Sequence, residues 1–117
     1  MGISVSKVEK WAKKKKTAKL VKFAESDDKD IRVAIAKGLG TIETEDSANG
    51  LVNMLRDPDP DVRIAAAESL GTVGNSRSIE FVRYIVNNDT DENVRKAAGE
   101  ALNRLKEKIN KELLAKK

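Results

Sequence analysis

Residues 57–71 read Asp57-Pro58-Asp59-Pro60-Asp61-Val62-Arg63-Ile64-Ala65-Ala66-Ala67-Glu68-Ser69-Leu70-Gly71. The last eleven residues of this stretch occur three times in the chain, the third time loosely. Asp61-Val62-Arg63-Ile64-Ala65-Ala66-Ala67-Glu68-Ser69-Leu70-Gly71 is preceded by Asp30-Ile31-Arg32-Val33-Ala34-Ile35-Ala36-Lys37-Gly38-Leu39-Gly40. It is followed, more loosely, by Asn93-Val94-Arg95-Lys96-Ala97-Ala98-Gly99-Glu100-Ala101-Leu102-Asn103. A second register precedes each copy: Leu20, Phe23 and Ala24; then Leu51, Met54 and Leu55; then Val82, Ile85 and Val86. Both registers advance by about 31 residues, the period of a stacked repeat. The extra residue of the last unit falls in the turn Asn88-Asp89-Thr90-Asp91.

Each unit reads as two helices. In the first, apolar residues recur at i, i+3 and i+4, a single helical stripe. In the second, Val62, Ala66, Ala67, Leu70 and Val73 repeat the pattern with small side chains, which lets helix axes approach closely. Asp59 is suited to N-cap the second helix, with Pro60 at its first position. Thr44, Asn75 and Thr90 are candidate caps for the helices that follow them. Gly40, Gly71 and Gly74 fall where helices should end in a positive-φ residue. No segment alternates as a strand does, so no sheet is expected.

The run Asp-Pro-Asp-Pro-Asp-Val-Arg with Ala-Ala-x-x-Leu-Gly, at residues 57–71, resembles the HEAT-like repeat in the short form found in bilin-lyase-type proteins. The resemblance covers residues 17–105. The first unit departs from it at Gly38, and the third lacks the proline and ends in Asn103. It implies an all-α, right-handed α-solenoid of about three helical hairpins, with second helices lining a concave side. It also implies that the repeated Asp/Arg pair is structural, with Asp near a helix N-terminus and Arg along the seam between units. Residues 1–117 are expected to form one domain. A capping helix over 6–16 precedes repeat 1 (17–42), repeat 2 (44–74) and repeat 3 (75–115, with an extended last helix). Val8, Trp11 and Ala12 share one face of the capping helix, and Trp11 is expected to lie over the first unit. Leu102, Leu105, Ile109 and Leu113 should form the inner stripe of the last helix; Ile109 and Leu113 could also serve a dimer seam, leaving monomer or weak dimer open.

Composition narrows the chemistry. The 117 residues include no Cys and no His, which removes thiolate zinc sites, cysteine nucleophiles and His-based triads. Some HEAT-like hydroxylases hold iron through His-Glu pairs, and zero His excludes that activity. Glu68 and Glu100 occupy equivalent positions one unit apart, yet nothing around them would raise a carboxyl pKa for acid catalysis. No catalytic residue, metal ligand or cofactor is expected, and the chain is read as a non-enzyme. No apolar run reaches the length of a membrane span, and no signal-peptide stretch opens the chain, so the cytoplasm is the expected location. Met1-Gly2 with Ser6 fits the loose N-myristoylation pattern, but a pattern this short is read as chance.

Binding is the better prospect. Once packed positions are removed, the second helices leave exposed rows: Val33, Ile64 and Lys96; Lys37, Glu68 and Glu100; Thr41, Thr72 and Arg104. Ala34, Ala65 and Thr72 should add a small-residue floor. The expected protein-binding residues are Val33, Lys37, Ile64, Glu68, Lys96 and Glu100, with Ile64 as apolar anchor and the charges as an orienting rim. The rival site follows from charge. Residues 1–24 carry eight Lys against Glu9, a balance of +7, whereas residues 25–92 carry −8 and residues 93–117 carry +5. Lys13, Lys14, Lys15, Lys16, Lys19 and Lys22 form a lysine-rich helix that could contact a polyanion, nucleic acid or an acidic surface. With no Arg there to read bases, this is the lesser reading. An accessory role beside a bilin-lyase-like enzyme is a further alternative. The identity of the protein partner does not follow from the sequence.

Overall fold

A computed structural model describes residues 2–116. Met1, the first residue of the lipidation pattern, and Lys117 lie outside the described residues. The 31-residue period resolves into seven helices: α1 (Val5–Lys13), α2 (Thr17–Lys22), α3 (Lys29–Leu39), α4 (Glu45–Met54), α5 (Pro60–Val73), α6 (Ser78–Asn88) and α7 (Glu92–Ala115). There is no strand among the described residues. The architecture is an all-α helical solenoid.

Short polar side chains set the helix starts. Ser4, Asp28, Thr44, Asp59 and Asp91 are N-caps whose side-chain oxygens accept backbone N–H groups of the first turn. Pro60 follows Asp59 at a position whose N–H would be unused anyway. Two expected caps move. The cap of α7 is Asp91, one residue beyond Thr90, because its carboxylate reaches both Asn93 N and Val94 N. Asn75 instead orders the turn ahead of α6, accepting from the Arg77 amide at 3.1 Å, while the cap position falls at Arg77.

The helices form two layers. α3 packs on α1 and α5, and α5 packs on α7, which gives one layer; α4 packs on α2 and α6, which gives the other. Between them lies one apolar cluster, with Leu20, Ile35, Leu39, Leu51, Leu70 and Leu105 fully buried. Each such side chain contributes about 1.5–3 kcal/mol relative to exposure. α1 thus stands where a preceding unit would place its second helix. Its Val8 and Trp11 are buried, and Trp11 stacks on Phe23 with ring centroids 5.4 Å apart.

The N-terminal helix differs from its expected 6–16 span. α1 stops at Lys13, and the chain turns through Lys14, Lys15 and Lys16 before α2. The turn is a left-handed helix cap: Lys15 has φ 55°, Lys15 N donates to Ala12 O, and Lys16 N donates to Trp11 O. At the other end, α7 covers 24 residues, roughly 36 Å at helical rise. α5, with 14 residues, is much shorter. Leu102 and Leu105 are buried and Ile109 is half-buried, but Leu113 and Leu114 are exposed where α7 outruns its neighbours.

The glycines serve a different purpose from the one expected. None has positive φ: Gly40 and Gly74 close their helices at φ −68° and −67°, and Gly71 lies inside α5. What they provide is proximity. A Cβ on Gly40 would fall 2.3 Å from Ser69 Oγ and 2.6 Å from Ser69 Cβ, and one on Gly71 would fall 3.1 Å from Ala101 Cα. Gly38, the departure in the first unit, does the same for α1, where an added Cβ would meet Ala12 Cβ at 3.1 Å. A buried Ser69 hydroxyl spans the α3–α5 seam, donating to Ala36 O at 2.9 Å.

Two glycine substitutions should therefore differ in sign. Gly40→Ala should destabilise by about 1–3 kcal/mol through overpacking against Ser69. Gly99→Ala, in α7 with nothing within 4 Å of the new methyl, should stabilise by about 1 kcal/mol from helix propensity. Urea unfolding of both variants measures the contrast.

Candidate functional site

The face of α3, α5 and α7 turned away from the other layer carries the expected rows. Lys37, Glu68, Lys96 and Glu100 are exposed, and among the described residues none of them forms an ion pair. Val33 and Ile64 are not fully exposed: both are half-buried and lean on the edge of the apolar cluster. Of the expected floor, Ala34 is half-buried and Thr72 exposed, but Ala65 is buried, because α5 presses into its neighbours. Thr41 and Arg104 are exposed, with side chains engaged locally: Thr41 Oγ1 donates to Gly38 O at 2.7 Å, and Arg104 donates to Glu68 O at 3.1 Å. Lys108 similarly reaches Gly74 O at 2.8 Å, placing cationic groups at the carbonyl end of α5, as the helix dipole favours.

The lysine run does not occupy one helix. Lys13 ends α1, Lys14, Lys15 and Lys16 form the turn, and Lys19 and Lys22 belong to α2. Lys19 Nζ sits 5.4 Å from the Trp11 ring centroid, and Lys22 Nζ sits 5.7 Å from that of Phe23, so both cap aromatic faces. Among the described residues, no carboxylate lies within 4 Å of any of the six.

The repeated Asp/Arg pair resolves into a ladder. Arg32 in α3 directs Nε and one terminal nitrogen at Asp57 in the next unit's turn, at 2.8 and 3.2 Å, while its other terminal nitrogen donates to Ser26 O and Asp27 O. Arg63 in α5 repeats the arrangement with Asp89, at 2.8 and 3.1 Å, and with Asp57 O and Pro58 O. These pairs are largely out of water, with side-chain exposures of 14% for each Arg and 7% and 5% for Asp57 and Asp89. Each aspartate also accepts from an amide in its own turn, Asp59 N or Asp91 N. Arg95 donates to Asp89 O at 2.6 Å. Thus Asp30 and Asp61 in the repeated motif do not bind the arginines. The acids that do precede the helices, at Asp57 and Asp89.

This is the joint of a tandem helical repeat, and the family comparison agrees. The family model for HEAT repeats matches residues 14–114. The chain belongs to the HEAT-repeat family. No curated protein matches it.

The HEAT match begins at the lysine turn, so α1 precedes it. Among the described residues, no group of three or more acidic side chains is placed to hold a metal ion. No helix is long and apolar enough to cross a membrane among those residues. Glu68 and Glu100 are exposed.

One surface was missed by sequence reasoning. Phe81 and Tyr84 on α6 are 43% and 64% exposed, beside a groove of about 550 Å³ shared with Val52, Leu55 and Arg56 of the α4 side. The signal was present: these are two of only four aromatic residues in the chain, and they stand off the Val82, Ile85, Val86 stripe by one position. Four aromatics in a charged sequence invite assignment to the core, and only Trp11 and Phe23 go there.

The Arg63–Asp89 joint makes stability depend on acid. Burial pushes the Asp89 carboxyl upward, but the Arg63 hydrogen bond, the Asp91 amide and the charges of Arg63 and Arg95 outweigh it, and its pKa lies below the ordinary value. A carboxylate depressed in the folded state contributes stability that is present above the unfolded pKa, about 3.9, and lost as pH falls through the folded value. Asp89→Asn should cost about 2–3 kcal/mol at neutral pH. It should also flatten the decline of stability below about pH 4, as read by urea midpoints across the acid range.

Proposed function

We propose that this HEAT-repeat chain is a non-catalytic protein-interaction module that binds another protein through its concave face, the side lined by α3, α5 and α7. HEAT repeats generally mediate protein interactions and are typically scaffolds without catalysis. The observation that carries the reading is the row of equivalent positions on consecutive helices. Lys37, Glu68 and Glu100 form one such row and Lys96 continues that of Val33 and Ile64; the four charged side chains are exposed with no ion pair among the described residues, and Val33 and Ile64 lie half-buried beside them. Apolar positions flanked by unneutralised charges match the anatomy of a binding site, where the centre supplies affinity and the rim sets orientation. The lysines of the α1–α2 turn support polyanion binding as a second reading, since among the described residues no carboxylate lies within 4 Å of them.

The test is capture from nuclease-treated lysate by the wild type and two folded variants, Ile64→Glu with Lys37→Glu, and Phe81→Ser with Tyr84→Ser. Retention of the same protein by wild type and by the α6 variant, with loss in the α3–α5 variant, is the expected outcome. Loss in the α6 variant alone would move the site to the aromatic surface. Release by moderate salt from all three would favour the lysine turn.

A further inference from the structure

We infer that the groove between α1 and α3 is a docking site for an acidic peptide segment of a partner protein, carrying an aliphatic side chain between its carboxylates. This rests on the reading of the second-helix face as a protein-binding surface and extends it to α1, which precedes the HEAT match.

The groove encloses about 720 Å³. Its walls are apolar and small: Val5 and Ala12 from α1 face Val33, Ala34 and Gly38 from α3. Gly38 brings the helices together, since its missing Cβ would touch Ala12 at 3.1 Å. Three lysines and two acids border the groove. Lys13 follows Ala12 and Lys37 precedes Gly38, so both flank that close approach, and Lys15 joins them from the turn. Glu9 and Asp30 belong to the same groove but come from earlier in each helix. Among the described residues, no carboxylate lies within 4 Å of Lys13, Lys15 or Lys37. Lys13 and Lys15 lie within a segment of net charge +7, and with Lys37 of α3 they place three ammonium groups around an apolar slot, complementary to a segment that is acidic and carries an aliphatic side chain.

Lys15 adds an independent observation. It occupies the left-handed position of the helix cap, where glycine is the usual residue, and it is the one non-glycine residue with positive φ among those described. Lysine is disfavoured there, and the residue borders the groove.

The surroundings argue against a nucleic acid. Base recognition needs an exposed aromatic platform or an arginine fork. Trp11 is buried against Phe23, and the groove has no arginine.

The experiment pans a displayed library of random twelve-residue peptides on the full chain. Selected peptides are then measured by fluorescence anisotropy against wild type, Lys13→Ala/Lys15→Gly and Ile64→Glu, with labelled oligo(dT) as a parallel probe. Lys15→Gly alone should raise the melting temperature, because glycine relieves the left-handed position. Yet the lysine double variant should bind the selected peptides about tenfold more weakly, two charge contacts of modest size being lost. The winners should be enriched in Asp and Glu around an aliphatic residue, and Ile64→Glu should leave their affinity within a factor of two. Winners without acidic enrichment, or unaffected by the lysine double variant, overturn the proposal. If those same winners are lost on Ile64→Glu, the second-helix face stands and only the groove fails. If no peptide is selected and oligo(dT) binds through the lysines, the groove assignment is overturned in favour of a polyanion.

Discussion

The bidentate pair between an arginine of one repeat and an aspartate of the next determines how this molecule stacks. Apolar burial alone is indifferent to small slides of one helix along another, because Ala and Leu surfaces offer many near-equivalent contacts. The guanidinium fork is not indifferent. Arg63 meets both oxygens of Asp89 and two carbonyls of the turn ahead of its own helix, so a shift of about an ångström would break several charge-assisted bonds at once. Replacing such a pair by apolar residues can be neutral for stability, whereas removing one partner strands a charge. Its contribution here is chiefly to register, with the aspartate also ordering its own turn through Asp59 N or Asp91 N.

Register in turn permits the close seams. Once the joints fix the units, Gly40 can face Ser69 and Gly71 can face Ala101 without a Cβ between them. The backbones then approach closely enough for the Ser69 hydroxyl to reach Ala36 O. Close seams bury Ala65 and half-bury Val33 and Ile64, leaving the charged side chains of that face to stand above them. The layer continues without interruption onto α1, whose contact with α3 is made by the same kind of small residue, Gly38 against Ala12. The second-helix face and the α1–α3 groove are therefore parts of one surface, built by one packing rule.

Much of this was legible in the sequence. A repeat with two registers in phase gave the helical pairs, the buried alanine stripe of α5 and the Asp59–Pro60 start, all of which depend on local pattern. What was not legible depended on long-range geometry. Glycine near a helix end reads as a left-handed cap, but at Gly40 and Gly71 the neighbouring helix required it. A lysine run reads as one more turn of helix, yet Lys15 takes the left-handed cap itself, against its intrinsic preference. The place of the arginines along the seam followed from the repeat, but not which acids they meet, since Asp57 and Asp89 lie 25 and 26 residues away in the next turn. The site is less legible than the fold. Exposure of Lys37, Glu68, Lys96 and Glu100 followed from periodicity, but the α1–α3 groove and the Phe81–Tyr84 surface arise only when the helices are placed side by side.

The Arg–Asp joints couple consecutive repeats. A double-mutant cycle on Arg63→Ala and Asp89→Ala, followed by urea unfolding at neutral pH, measures that coupling directly. A coupling energy of about 1.5–3 kcal/mol is expected for a largely buried bidentate pair. Single effects that add within about 0.5 kcal/mol would contradict it, and would mean that apolar packing alone sets the stack.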